Sequence, residues 1–93
     1  DQIYILVNST KYGGGAIYNY YNVSVNSNAK SAQILIHEFG HGFAALGDEY
    51  GYDNTYGDMY NFKIEPWEPN LTTLRHFDKK WKSMVNDTVP VPT

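Results

Sequence analysis

Three residues near the middle of the chain combine side-chain type and spacing suited to hydrolytic chemistry. They are His37, Glu38 and His41, in the run HEFGHGFAALGDEY from His37 to Tyr50. On an α-helix, positions i and i+4 lie one turn apart on the same face, so two imidazoles there can grip one metal ion from one side. The glutamate between them can reach a water on that ion. Zinc lowers the pKa of such a water to about 7 and polarises a carbonyl. Glu38 would take the proton from the attacking water and pass it to the leaving amine. The chemistry this predicts is metal-assisted hydrolysis of a peptide bond.

Catalytic zinc usually takes three protein ligands and keeps one position for water. Two histidines supply two, so a third must come from elsewhere. Asp48 and Glu49 stand just after Gly47. On a continued helix Asp48 would lie about 10 Å farther along the axis than His41. A turn at Gly47 would bring a carboxylate back to the ion. Asp48 is the preferred third ligand, Glu49 the second choice and His76 the third. Tyr50, Tyr52, Tyr56 and Tyr60 are candidates to hold the oxyanion. Asp48, Glu49, Asp53, Asn54 and Asp58 also gather hard oxygens suited to calcium, although without EF-hand spacing.

All of this requires a helix over residues 29–46. Asn28 is a good N-cap residue. Ala32, Leu35, Ile36, Phe39, Phe43 and Leu46 form one apolar stripe of helical period, with His37 and His41 on the opposite side. The expected arrangement is a helix packed on a core by the stripe and lining a cleft with the histidines. Gly47 is a natural residue to end it. Gly40 and Gly42 each cost roughly 1 kcal/mol against alanine in a helix, which suggests that something packs very close to them.

The elements around the helix follow from composition. Gln2 to Val7 (QIYILV) reads as a buried strand. Gly13-Gly14-Gly15 marks a close approach or an unusual backbone conformation. Ala16 to Val25 reads as one or two strands, antiparallel if two. The glycine run and the strand after it, at Gly14, Gly15 and Ala16, offer an edge on which an extended peptide substrate can hydrogen-bond. Residues 48–61 read as an ordered, tyrosine-rich loop. Leu74, Phe77, Trp81, Met84 and Val85 have the spacing of a second amphipathic helix, capped by Thr73, with Lys79, Lys80 and Lys82 mostly on its wet side. Trp67 and Trp81 read as core anchors.

Ninety-three residues suffice for one small domain with one core. The net charge of −3 gives no reason to expect a nucleic-acid partner. No apolar run approaches the ~20 residues that span a bilayer. The absence of cysteine excludes disulfides and a thiolate zinc site. Asn8, Asn22, Asn70 and Asn86 each open an N-x-Ser/Thr triplet. The first residue is not Met, and the Val89-Pro90-Val91-Pro92 tail points onward, so the chain is expected to be part of a longer, processed protein.

HEFGHGFAALGDEY closely resembles the active-site segment of the bacterial IgA-peptidase family of zinc metallopeptidases. YGGGAIYNYY upstream, and EPWEPNLTTL and FDKKWK downstream, are similar to that family too. The resemblance implies a zincin-type catalytic domain of a secreted or cell-surface endopeptidase acting on proteins or peptides. It implies His37 and His41 as zinc ligands, Glu38 as general base and the acidic pair at 48–49 as source of the third ligand. One departure concerns metzincins, whose third ligand lies six residues after the second histidine; that position here is Gly47. The expected fold is α+β: short N-terminal strands, the active-site helix, a loop and a second helix. The competing expectation from another class is a non-catalytic module that binds protein or glycan, with a merely structural histidine pair.

Overall fold

A computed structural model describes residues 1–49 and 63–90. The chain divides into two compact units, Asp1–Leu46 and Gly47–Thr93. The first is a small α+β unit, a three-stranded sheet with one helix on it. No helix among the described residues is long and apolar enough to cross a membrane.

The strands are β1 (Ile3–Val7), β2 (Gly14–Ile17) and β3 (Tyr21–Val25), in the order β1-β3-β2. Of the one-strand and two-strand readings of residues 16–25, the two-strand one holds: β2, which begins earlier at Gly14, and β3 pair antiparallel, with Gly14 opposite Ser24 and Ile17 opposite Tyr21. Their turn closes through a hydrogen bond from Tyr20 N–H to the Ile17 carbonyl, 3.0 Å. Asn19 takes the left-handed conformation there (φ 57°), which asparagine tolerates better than most residues. β1 runs parallel to β3, Ile3 beside Tyr21 and Val7 beside Val25. It is an edge strand and its five residues are exposed, not buried as the apolar run suggested. Its side chains are β-branched and aromatic, which suits a strand at a sheet's edge as well as at its centre.

This pairing sorts the side chains onto two faces. Tyr4, Leu6, Asn22, Ser24, Gly14 and Ala16 share one, and the helix packs over β2 and β3 on that side. Ile5, Val7, Val23, Val25, Gly15 and Ile17 share the other. The inner face therefore has small and polar residues at its centre, and Asn22 and Ser24 are fully buried there.

The helix, α1, spans Ser31–Ala44, two residues shorter at each end than expected. Asn28 is not its N-cap. Lys30 holds that position, and Asn28 stabilises the approach by accepting the Lys30 N–H on its side-chain oxygen at 2.9 Å. The helix ends at Ala45, not Gly47. Ala45 is left-handed (φ 58°), its N–H reaches the His41 carbonyl, and the Leu46 N–H reaches back to Gly40.

The buried face of α1 also differs from the expected one. Ile34, Glu38 and Gly42, spaced four apart, face inward. The apolar stripe is largely exposed, with Ile36 at 72% and Phe43 at 59%. Part of it stacks laterally: Phe39 lies on Phe43 at 4.9 Å between ring centres and on Tyr4 at 6.1 Å. The close packing expected at the helix glycines is real at Gly42, where a Cβ would overlap the Asn22 amide. At Gly40 it would meet only the flexible Leu46 side chain, at 3.3 Å.

In the second unit the expected helix over residues 74–85 is absent. Two 3-10 turns, Phe77–Lys79 and Lys82–Met84, stand in its place. Thr73 does not cap a helix; its N–H and hydroxyl both donate to Glu65. The same carboxylate oxygen accepts the Arg75 and His76 N–H groups. Lys80 is not on a wet face. Its ammonium donates to the Pro66 and Glu68 carbonyls at 2.6 and 2.8 Å and to that of Leu71. Two side chains, Glu65 and Lys80, thus satisfy backbone N–H groups at 73, 75 and 76 and backbone carbonyls at 66, 68 and 71 that lie outside regular secondary structure. Phe77 is buried and meets Trp81 edge-on at 4.5 Å, whereas Trp67 is exposed and anchors no core.

Candidate metal centre

His37 and His41 project from adjacent turns of α1. Their rings are mutually perpendicular with centres 4.4 Å apart, and the two Nε2 atoms stand 2.9 Å from each other. His37 is exposed and His41 half-buried. The other nitrogen of His41, Nδ1, is in hydrogen-bond contact with the Leu46 carbonyl. A carbonyl can only accept, so Nδ1 carries a proton, and in the neutral ring Nε2 presents its lone pair. The left-handed Ala45 makes this contact possible, because it turns the chain back toward the ring one residue before Leu46.

Glu38 is on the buried face of α1, 8% exposed, with its carboxylate against β2 at Gly14. Gly14 meets the close-approach expectation for the glycine run, whereas Gly13 and Gly15 have open space where a Cβ would stand. Gly14, Gly15 and Ala16 lie on β2, an edge strand as expected. The Val25 N–H donates to the Gly13 carbonyl. Antiparallel alternation then turns the Gly14 and Ala16 backbone groups toward the outer edge of the sheet.

Asp48 and Glu49 belong to the second unit. There the Asn70 amide acts as a clip. Its oxygen accepts the Gly47 N–H at 2.8 Å, and its nitrogen donates to the Gly47 carbonyl at 2.9 Å and to the Glu49 carboxylate at 2.7 Å. Glu49 is exposed and Asp48 half-buried. His76 is exposed at the start of the first 3-10 turn. Tyr50, Tyr52, Tyr56 and Tyr60, together with Asp53, Asn54 and Asp58, lie outside the described residues.

Three supporting residues escaped the sequence reading. Asn22 is buried under α1 and donates to Gln2 at 3.0 Å, while the Asn19 N–H bonds the Gly42 carbonyl at 2.8 Å. Together they fix the height of the helix beside His41. The signal was available: Asn22 and Ser24 alternate with Tyr21, Val23 and Val25, which puts a polar pair on one face of a strand, and Gly42 of the helix meets that face at Asn22. Glu65 is the third. Burial pushes its carboxyl up, but hydrogen bonds from the Thr72 and Thr73 side chains and the His76 and Thr73 N–H groups outweigh that and lower it to about 2.

Comparison with curated proteins gives no match. The model of one family, described as IgA Peptidase M64, matches residues 1–93, the whole of the sequence. With the paired imidazoles of α1 in a chain that this peptidase family model covers from end to end, the protein belongs to the IgA Peptidase M64 family.

Proposed function

We propose that this chain is the catalytic part of a zinc-dependent endopeptidase of zincin type, in which His37, His41 and Asp48 hold the metal and Glu38 handles the proton. The observation that carries this reading is the 2.9 Å approach of the two Nε2 atoms. Two imidazoles on one tetrahedral zinc, with bonds of about 2.05 Å, hold their nitrogens roughly 3.3 Å apart. The pair needs to open by only a few tenths of an ångström. The Leu46 carbonyl has already selected the tautomer that presents Nε2.

Asp48 is favoured as the third ligand by covalent reach and by the occupation of its neighbour. The chain passes the His41 ring at Leu46, and Asp48 follows two residues later, at most about 7 Å along an extended backbone. Glu49 is held by Asn70. When bound, zinc supplies Lewis acidity at the scissile carbonyl and acidifies a water. Glu38 accepts the proton from the attacking water and returns it to the leaving amine. The outward backbone groups of Gly14 and Ala16, with Gly15 between them, align an extended peptide as an added strand. The substrate is accordingly a protein or peptide met in extended form, and the reading places the enzyme outside the cell or on its surface.

Zinc content and casein cleavage of the chain and of its Glu38→Gln variant test this. The variant should keep one zinc per chain and lose activity by about 10²- to 10⁴-fold. A module that merely binds protein or glycan would show no chelator-sensitive cleavage in either form, and that outcome would sink the reading. Asp48→Ala should lose zinc and Glu49→Ala should retain it; the reverse pattern would move the third ligand to Glu49.

A further inference from the structure

We propose that Gly14 is a positioning residue for Glu38, and that its missing side chain is what lets the carboxylate stand where it does. This rests on the reading of Glu38 as the proton carrier. A Cβ at Gly14 would lie 2.6 Å from Ile34 Cγ2, 2.7 Å from Glu38 Oε1 and 3.0 Å from Glu38 Cγ. Separations this short force something to move.

Backbone conformation does not explain the glycine. None of the described glycines has a positive φ, so any residue could adopt the conformation of Gly14. The exclusion is one of volume alone, and it is local, since a methyl added at Gly13 or Gly15 on either side would have nothing within 4 Å. Of the two side chains that would be struck, Ile34 is 4% exposed and β-branched, with little freedom to turn. Glu38 has three rotatable bonds, and its Oε1 is the free end of the chain. An added methyl would therefore displace the carboxylate before it displaced the isoleucine.

β2 thus bears on the reaction in two ways. Its outer edge aligns the peptide, and its inner surface at Gly14 sets the position of the carboxylate that serves the same peptide. Register between base and substrate comes from one strand, which no single contact between helix and substrate would provide.

The test compares Gly14→Ala with Gly13→Ala, Glu38→Asp and the double variant Gly14→Ala/Glu38→Asp, all in the full chain. The first readout needs neither metal nor turnover: the ¹³C resonance of the Glu38 carboxyl carbon in metal-free protein. It should move in Gly14→Ala and stay in Gly13→Ala. The second is steady-state cleavage with zinc loaded. Gly14→Ala should lower kcat about 10- to 100-fold, the scale of a misplaced catalytic group, with KM and bound zinc unchanged. In the Glu38→Asp background, where the acid is one methylene shorter, the same methyl should cost far less. An unmoved carboxyl resonance, or an equal loss in both backgrounds, would overturn the proposal. If Gly14→Ala does not fold, Gly14→Ala/Ile34→Ala gives room on the isoleucine side. A Glu38 resonance still displaced in that variant supports the proposal, and one restored to the wild-type position refutes it. A wild-type chain without zinc or cleavage defeats the proposed function, and the resonance still decides whether Gly14 seats the carboxylate.

Discussion

Lys80 Nζ stands 3.4 Å from Glu65 Oε1, and both side chains are largely shielded from water. Between them they organise the described part of the second unit. One oxygen of Glu65 accepts the N–H groups of Thr73, Arg75 and His76, and Lys80 donates to the carbonyls of Pro66, Glu68 and Leu71. The pH dependence follows from Glu65. Its carboxyl lies at about 2 in the folded chain against 4.5 for an unperturbed glutamate. Between those values the unfolded chain binds a proton that the folded chain does not. The Glu65 contribution is fully present above pH 4.5 and is lost as pH falls toward 2. Urea midpoints measured across that window should fall with acidification, and Glu65→Gln should flatten the slope while lowering stability near neutrality.

Lys80→Met should destabilise the second unit by roughly 1–3 kcal/mol, the cost of leaving partly buried carbonyls without a donor. Lys79→Met and Lys82→Met remove exposed charges and should change little, within about 0.5 kcal/mol. Chemical denaturation of the three variants checks this. Equal effects for all three would mean that the lysines act only as a charged surface.

These two side chains also show why half of the fold was not legible. The spacing of Leu74, Phe77, Trp81, Met84 and Val85 suits a helix, and the Phe77–Trp81 contact did form. Periodicity registers apolar positions, however, and cannot register that Lys80, placed on the wet side by its spacing, turns to the Pro66, Glu68 and Leu71 carbonyls. The same bias misassigned the face of α1. The stripe through Phe39 and Phe43 has more carbon, but Ile34, Glu38 and Gly42 are the residues whose shape fits a sheet face built of Gly14, Asn22 and Ser24. The histidine pair was legible because its spacing is itself the geometry. Strand at residues 16–25 was legible because the segment is rich in strand formers with partial alternation; the turn at Asn19 that makes it two strands was not. The tautomer of His41 was not, because it depends on where the chain turns after the helix.

Gly42→Ala and Gly40→Ala should have opposite signs. Either gains about 1 kcal/mol of helix propensity. At Gly42 the new methyl overlaps the buried Asn22 amide, and overpacking of that kind costs about 1–3 kcal/mol. At Gly40 it meets a leucine methyl at 3.3 Å that can swing away. Thermal melts should show Gly42→Ala less stable than wild type and Gly40→Ala slightly more stable. Adding Asn22→Ala to Gly42→Ala should recover part of the loss. Two alanines of equal effect would show that the Asn22 contact has no energetic weight.

Ala45 links the end of α1 to the histidine pair, and two substitutions there separate stability from metal binding. A left-handed alanine is strained by about 1 kcal/mol or more, so Ala45→Gly should raise the melting temperature of the metal-free chain, with a gain of up to about 1 kcal/mol. The turn survives in that variant, the Leu46 carbonyl stays on His41 Nδ1, and zinc affinity should match wild type. Ala45→Val puts a β-branched residue where φ is 58°, which the backbone resists more strongly. The chain past His41 then shifts and the ring loses its acceptor. Loss of such a hydrogen bond behind a ligand typically costs about 10- to 100-fold in metal affinity. Competition titration against a zinc chelator measures both variants. If Ala45→Val binds zinc as tightly as Ala45→Gly, the Leu46 carbonyl has no part in orienting His41.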